Sequence, residues 1–325
     1  MKNKFELNKK KNKMEEKNKS NNIKRRKFIQ MGSIFAAGTI FSPLSGYNVG
    51  SLFQVKKSIP NVNLNNGLSM PVLGFGTNTL NGETCVKCVS DAISVGYRLI
   101  DTANIYGNEK FVGEGIKQSS IDREKLFITS KLWVDDFGYE STKKAFATSI
   151  NKLGVEYLDL YLIHRPRGDV KGSWMAMEEL YKEGKIKAIG VSNFEPEQID
   201  DLMTEAKIKP AINQIETHVF YQQHNSYEAL KRYNIQMEAW SPFAAGRNNI
   251  FSNQTLAEIG KKYNKSIAQV CLRWHYQRGV VAIPRSSQKE HMIENLAIFD
   301  FKLDDSDMQT IATLDLNITQ FPEWE

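Results

Sequence analysis

Cysteine is scarce in this sequence, with only three among 325 residues: Cys85, Cys88 and Cys271. Three cysteines cannot build a disulfide framework. Cys85 and Cys88 form a C-x-x-C pair, but a structural zinc site of this type needs four ligands, and no second pair or histidine stands at a suitable spacing. We therefore predict no metal site. The pair lies in a segment with amphipathic helical periodicity, which favours two packed side chains, with a redox pair as the alternative.

A basic surface is lacking over most of the chain, although the net charge is +6. Residues 1–30 contain twelve Lys and Arg against three acidic residues, which leaves the remainder with a net charge of −3. The positive charge therefore belongs to the N-terminal tail, and we expect no nucleic-acid partner for the rest of the chain. The composition, 41% hydrophobic and 25% charged, is ordinary for a globular protein.

A long hydrophobic run is also absent. Residues 1–22 are rich in Asn and Lys and too poor in apolar side chains to fold. The apolar run over residues 28–44 is interrupted by glycine and serine and is short for a membrane-spanning helix. A basic stretch before a modest apolar run is typical of a signal peptide. Its hexapeptide, Arg25-Arg26-Lys27-Phe28-Ile29-Gln30, resembles the core of a twin-arginine export signal.

This resemblance implies export of the folded protein by the twin-arginine machinery, to the periplasm or cell envelope. No A-x-A cleavage site occurs, so cleavage and retention as an anchor are both open. Two alternatives keep the protein cytoplasmic: a disordered basic tail, or a tail attached to acidic lipids on the cytosolic face. We place the domain boundary after residue 57, with the tail and signal segment in 1–57 and one folded domain in 58–325.

The folded domain shows a regular rhythm. Two short strands flank an Asn65-Asn66-Gly67 turn, and eight short apolar runs then alternate with amphipathic stretches. The predicted strands are Leu73–Gly76, Leu99–Asp101, Leu126–Ser130, Leu158–Ile163, Ala188–Val191, Ala211–Gln214, Gln236–Trp240 and Val281–Ile283. Eight β/α units predict a TIM (β/α)8 barrel, here with an N-terminal β-hairpin cap. A doubly wound sheet is disfavoured because Gly74-Phe75-Gly76 lacks the third glycine of G-x-G-x-x-G.

Polar, titratable residues stand where predicted strands end. Asp101, Lys131 and His164 close the second, third and fourth strands, and Tyr106 lies in the loop after the second. Chemistry in a barrel is located at this end of the strands. One such residue would be unremarkable, but four at these positions are hard to explain by stability. We therefore predict a functional site, and we call these four residues the tetrad.

Three motifs around the tetrad are long and specific. GYRLIDTANIYGNEKFVG (96–113), KAIGVSNF (187–194) and IPRSSQKEHMIEN (283–295) resemble the signatures of the aldo-keto reductase superfamily. The resemblance covers residues 61–315. Within the superfamily, the sequence most resembles bacterial diketo-gluconate and methylglyoxal reductases. It implies an NAD(P)H-dependent reductase of aldehydes or ketones, with the tetrad as its catalytic residues and NADPH as cofactor, NADH being the alternative. We expect a monomer acting on a small carbonyl substrate.

Elementary chemistry agrees with this assignment. Carbonyl reduction needs a hydride at carbon, which the cofactor supplies, and a proton at oxygen. Tyr106 is the expected general acid, and the ammonium of Lys131 is expected to lower the Tyr106 pKa. Asp101 is expected to keep Lys131 charged and oriented. His164 is expected to donate a hydrogen bond to the substrate oxygen as negative charge develops there.

The resemblance also implies a cofactor site. Ser192, Asn193 and Gln214 match the nicotinamide carboxamide contacts, and Trp240 matches the position that stacks on the nicotinamide ring. The remaining matches belong to the pyrophosphate loop (Ser241, Pro242, Phe243) and to the adenosine end (Arg285, Ser286, His291, Glu294, Asn295). Arg285 replaces the usual Lys and suits a 2′-phosphate. His291 replaces an Arg, which removes a permanent charge and makes NADH use plausible.

The expected substrate residues depart from the family pattern. Trp133 keeps an aromatic wall, while Asn78 and Arg165 stand where many members have Trp. We predict that Arg165 selects a polar or anionic carbonyl substrate, such as a keto-sugar acid or an oxo-acid. Alternatively, Arg165 points to solvent or pairs with Asp169. A different function is also open: an exported or membrane-attached cofactor-binding regulatory module with little turnover.

Overall fold

Eight parallel strands form one continuous sheet in the computed structural model, which describes residues 59–324. They are β3 (Gly74–Gly76), β4 (Leu99–Asp101), β5 (Phe127–Leu132), β6 (Leu158–Ile163), β7 (Ile186–Ser192), β8 (Ile212–Glu216), β9 (Gln236–Trp240) and β10 (Val281–Ala282). Each strand pairs with the next along the chain. The sheet closes because Leu73 pairs in parallel with Ala282 and the Gly76 N–H donates to the Pro284 carbonyl at 3.1 Å. The predicted barrel is confirmed.

Side chains alternate between two apolar layers along the strands. In β6, Leu160 and Leu162 pack inside the barrel, whereas Tyr161 and Ile163 pack outward under the helices. A strand buried on both faces must be apolar at nearly every position, because neither set of alternating side chains meets water. This accounts for the short continuous apolar runs in the sequence.

A hairpin closes the bottom of the barrel. Strands β1 (Asn61–Asn63) and β2 (Ser69–Pro71) pair antiparallel, and Gly67 in the turn has a φ of 84°. Leu64 and Met70 from this hairpin join the apolar cluster inside the barrel, next to residues at the beginnings of the parallel strands. The predicted N-terminal cap is confirmed, and it leaves the opposite end of the barrel as the open one.

Ten α-helices lie within residues 59–324, and most of them form the outer layer. They are α1 (Gly82–Val95), α2 (Glu109–Ser119), α3 (Tyr139–Leu153), α4 (Val170–Lys182), α5 (Pro196–Glu205), α6 (His224–Arg232), α7 (Gln254–Tyr263), α8 (Ile267–Gln277), α9 (Lys289–Leu296) and α10 (Asp305–Ala312). A capping box formed by Ser266 and Gln269 marks the start of α8.

The remaining predictions about small motifs concern α1 and the N-terminal segment. Cys85 and Cys88 are buried and unbridged in α1, as two packed side chains should be. No group of three or more potential metal ligands occurs within the described part of the chain. The described helices are all too short or too polar to cross a bilayer. The predicted export signal and the boundary after residue 57 lie outside the described residues.

Candidate active site

The functional side chains share one register of the barrel. Asp101 follows the inward-facing Leu99 by two positions, and Gln214 follows the inward-facing Ile212 by two. Lys131 follows Phe127 by four, and His164 follows Leu162 by two. Because side chains alternate along a strand, all of these groups point into the open end of the barrel. The same alternation that builds the apolar core therefore gathers the polar site above it.

Lys131 and Asp101 form a completely buried ion pair. The Lys131 Nζ lies 2.6 Å from the Asp101 Oδ1 and also donates to the Thr102 carbonyl at 2.9 Å. Burial by itself would lower the Lys131 pKa, but the surrounding acidic groups, Asp101 foremost, together outweigh burial and the pKa is raised. Lys131 is therefore charged at neutral pH, as predicted.

Tyr106 lies against this ion pair, in a single turn of 3₁₀-helix over Asn104–Tyr106. The Lys131 Nζ is 5.2 Å from the centroid of the Tyr106 ring. Burial raises the pKa of Tyr106, and the Lys131 ammonium pulls the pKa down without overcoming that effect. The expected net lowering is wrong for this structure, because burial of the hydroxyl outweighs the lysine charge, part of which Asp101 also offsets. A raised Tyr106 pKa favours catalysis of reduction, because the hydroxyl then keeps the proton that a general acid must give.

His164 completes the cluster from β6. Its ring lies 5.8 Å from the Tyr106 ring and 5.2 Å from the Trp133 ring, edge-on to both. Burial, followed by the nearby charges of Lys131 and Arg165, holds the His164 pKa well below its usual value. The imidazole is therefore neutral and carries one N–H. Trp133, predicted as an aromatic wall of the substrate site, lies next to His164 through this ring contact.

The predicted carboxamide contacts also converge. The Ser192 hydroxyl donates to the Gln214 carbonyl at 2.7 Å, and the Asn193 Nδ2 donates to the His164 carbonyl at 3.0 Å. The Trp240 Nε1 donates to the Asn193 Oδ1 at 2.8 Å. These hydroxyl and amide groups can pair with the oxygen and the NH₂ of a carboxamide beside the tetrad. The residues present therefore fit a nicotinamide.

The loop after β9 carries the predicted pyrophosphate residues. Ser241 has a φ of 49° and its carbonyl accepts from the Ala244 N–H at 2.7 Å, which turns the chain sharply at Pro242. Phe243 packs its ring 5.7 Å from that of Phe251. The turn begins directly after Trp240, the last residue of β9.

The adenosine-end residues lie on and before α9. Arg285 donates to the Thr79 Oγ1 at 2.7 Å, and Ser286 accepts the Gln288 N–H at 3.1 Å. The other three, His291, Glu294 and Asn295, are in α9 itself. Arg285 follows β10 and Thr79 follows the neighbouring strand β3. Their hydrogen bond therefore connects the adenosine end with the loop after β3. The half-buried Asn78 and Arg165 flank the site from the loops after β3 and β6.

Sequence reasoning missed a set of residues from the C-terminus. The Phe321 and Trp324 rings lie 5.1 and 5.4 Å from the Trp240 ring. Their segment is held by Glu216, which accepts the Thr319 hydroxyl at 2.5 Å and the Gln320 N–H at 2.8 Å. The inward register of β8 could have marked Glu216, but its partners lie 103 and 104 residues away.

Asn108 was also missed, although it stands in the first quoted motif. Its buried side chain donates to the carbonyls of Thr77 and Leu80 at 2.9 Å each and accepts the Thr102 hydroxyl at 2.7 Å. The loops after β3 and β4 are thus tied together through one amide. This tie fixes the loop from which Tyr106 enters the site.

Comparison with known proteins finds a matching family and similar proteins. The model of the "Aldo/keto reductase family" matches residues 72–316. Glyoxal reductase of Bacillus subtilis is 49% identical over 255 residues, which are 78% of this chain and 92% of the relative. Methylglyoxal reductase DkgA of Escherichia coli is 40% identical over 257 residues, 78% of this chain and 93% of the relative.

A solved structure extends the comparison to the cofactor. The silkworm (Bombyx mori) protein AKR2E5 complexed with NADPH has a TM-score of 0.77 and 34% sequence identity. The match covers 81% of this chain and 90% of that one.

Proposed function

The chain belongs to the aldo/keto reductase family, and we propose that the tetrad is the catalytic site with which it reduces small carbonyl compounds. The protein is an NAD(P)H-dependent oxidoreductase that converts aldehydes or ketones to alcohols, with NADPH as its cofactor. One observation carries the assignment of the site: the buried Lys131–Asp101 ion pair lies beside the Tyr106 ring, which in turn contacts the His164 ring.

The proposed roles follow from these charges. The bound reduced nicotinamide supplies the hydride. Tyr106 gives its proton to the substrate oxygen, and the Lys131 ammonium stabilises the phenolate that remains. Asp101 holds Lys131 in place, and neutral His164 donates its one N–H toward the same oxygen. Ser192, Asn193 and Gln214 orient the nicotinamide carboxamide, and Trp240 offers its ring.

The adenosine end favours NADPH over NADH in this proposal. The Arg285 guanidinium is exposed at the end of the site and is oriented by Thr79, which suits a 2′-phosphate. The half-buried His291 provides no permanent charge. We therefore expect discrimination against NADH to depend on Arg285.

Arg165 is proposed to select polar or anionic carbonyl substrates. The guanidinium is half-buried and close enough for its charge to act on Tyr106 and His164. The alternative partner, Asp169, instead accepts the Gly172 N–H at the start of α4, and no ion pair joins Asp169 to Arg165 within residues 59–324. Glyoxal and methylglyoxal, which the two curated relatives are named for, are small polar dicarbonyls that fit this environment.

We expect Arg165→Trp to lower kcat/KM for a carboxylated carbonyl, relative to a neutral aldehyde of similar size, by about tenfold, because one charge-assisted contact is lost. The measurement is the ratio of kcat/KM for glyoxylate and for propionaldehyde. The matched control is Arg167→Trp, because Arg167 is an exposed residue two positions after Arg165. An unchanged ratio in Arg165→Trp would remove the proposed selectivity.

Export by the twin-arginine machinery is proposed on the Arg25–Gln30 motif alone, which lies outside the described residues. Two further predictions are that residues 58–325 form one folded domain and that the protein is a monomer. We expect Arg25→Lys with Arg26→Lys to retain the full-length protein in the cytoplasm, because this pathway requires the arginine pair. Fractionation of cells that express each form measures this. An equal distribution of the wild type and the double variant between the fractions would contradict export by this pathway. The enzyme would then be expected to act in the cytosol.

A further inference from the structure

Glu238 is a completely buried carboxyl group to which the proposed mechanism gives no role. It lies in the middle of β9 and faces the barrel interior in the same register as Trp240. Its Cα pairs directly with that of Gln214 on β8. An ionisable side chain is placed this deeply only rarely, and then with a partner. The partner here is a residue of the proposed cofactor site.

The contact is made by a shared amide. The Gln214 Nε2 donates to the Asp101 Oδ2 at 2.9 Å and to the Glu238 Oε2 at 2.9 Å. An amide NH₂ has two hydrogens, and the two carboxyl groups take both. The reversed amide would place its oxygen against the Asp101 carboxylate, which can only accept, and this arrangement is unfavourable. Glu238 and Asp101 together therefore fix which way the Gln214 amide points, and they leave its oxygen as the group available to a ligand.

The two carboxyl groups differ in their charge. Asp101 is compensated by Lys131 at 2.6 Å, whereas the second oxygen of Glu238, Oε1, is buried without a hydrogen-bond partner in the described part of the chain. Burial, followed by the negative charge of Asp101, raises the pKa of Glu238 to about 8, against the weaker effects of Gln214 and Lys131. On the other flank, Val281 of β10 is apolar. Burial and the charge of Asp101 both favour the protonated form of Glu238 over the carboxylate.

We propose that Glu238 is a positioning residue of the reductase: its carboxyl group takes one N–H of the Gln214 amide and, with Asp101, holds that amide so that its oxygen accepts from the nicotinamide carboxamide. The inference rests on the proposed function, specifically on Gln214 as a cofactor contact. Ionisation of Glu238 places a second negative charge beside Asp101. That charge competes for the Lys131 ammonium and weakens the support that Lys131 gives to the Tyr106 phenolate.

Two substitutions separate the acceptor from the charge. Glu238→Gln keeps an oxygen for the Gln214 N–H but cannot ionise. Glu238→Met is similar in size and removes the acceptor. In the full-length protein we expect Glu238→Met to raise the Kd for NADPH about tenfold, and Glu238→Gln to restore it to within about threefold of the wild type. The Kd is measured by quenching of tryptophan fluorescence, so this readout needs no turnover. The same two substitutions at Glu228, an exposed residue of α6, are the controls.

The second readout is pH. Because the folded-state pKa of Glu238 lies above the ordinary value of 4.5, the folded protein keeps a proton that the unfolded chain has released. This contribution lowers stability as pH rises from about 4.5 to about 8. We expect the Tm of cofactor-free Glu238→Gln, relative to the wild type, to rise over that range, and the fall in wild-type kcat near pH 8 to be missing in the variant.

The outcomes are distinct. An unchanged NADPH Kd in Glu238→Met, or a Tm difference between Glu238→Gln and the wild type that does not depend on pH, would overturn the inference. Should Glu238→Met fail to fold, the Glu238→Gln pH profiles decide alone. A wild-type protein that binds NADPH but reduces no carbonyl would contradict the proposed function instead, and the Kd and Tm measurements would still report on Glu238.

Discussion

Replacing Tyr106 with Phe is expected to lower kcat for carbonyl reduction by about a thousandfold, within the usual range for removal of a general acid. The substitution deletes the only hydroxyl in the tetrad and leaves the ring between His164 and Lys131 in place. The hydride can still be delivered, but the developing alkoxide must then take its proton from water or from the less acidic surroundings. Turnover with methylglyoxal and the Kd for NADPH are measured on the same preparation.

The split between these two quantities carries the argument. We expect the NADPH Kd of Tyr106→Phe to stay within about twofold of the wild type, because Tyr106 is not among the proposed cofactor contacts. Tyr233→Phe removes a hydroxyl that binds Asp200 on the outside of the barrel and should leave both quantities unchanged. Retention of more than about a tenth of wild-type kcat in Tyr106→Phe would exclude Tyr106 as the proton donor.

Replacing Lys131 with Met is expected to damage both stability and catalysis. Lys131 is completely buried, so its loss leaves the Asp101 carboxylate uncompensated inside the barrel. Breaking a buried pair in this way typically costs about 3–5 kcal/mol of unfolding free energy. The variant also loses the charge that stabilises the Tyr106 phenolate, so kcat should fall by about a hundredfold or more. Urea unfolding and steady-state turnover measure the two effects.

A double variant separates them. Lys131→Met combined with Asp101→Asn removes both charges, and we expect it to recover most of the lost unfolding free energy while kcat stays low. Recovery of turnover in the double variant would show that Lys131 serves only to neutralise Asp101. A single Lys131→Met variant as stable as the wild type would mean that Asp101 takes up a proton without cost, against the paired geometry seen here.

The sequence was sufficient for the architecture because each strand end is marked locally. The apolar runs locate the strands, and the polar residue that ends a run points inward by simple alternation, as Asp101, Lys131 and His164 do. The predicted strand boundaries were wrong where that alternation is interrupted. β7 begins at Ile186, two residues before the predicted start, because Lys187 is exposed on an otherwise buried strand and hides the pairing of Ile186 with Leu158.

Contacts between distant segments could not be predicted in the same way. Glu216 and Glu238 each lie in the inward register, so their direction follows from alternation, but their partners come from other strands or from the C-terminal segment. The prediction of a lowered Tyr106 pKa was wrong for a related reason. The expectation counted the nearby Lys131 charge and not the burial of the hydroxyl or the opposing charge of Asp101, which only the assembled barrel defines.

The most direct test of the account is the stoichiometry of one reaction. The purified full-length protein is incubated with NADPH and methylglyoxal, and the loss of absorbance of the reduced cofactor is compared with the hydroxy-carbonyl product determined by mass spectrometry. The account predicts one product molecule for each NADPH oxidised, with repeated turnover that Tyr106→Phe slows by about a thousandfold. Tight NADPH binding without product from methylglyoxal, glyoxylate or any other small aldehyde or ketone would contradict it and identify the barrel as a cofactor-binding module.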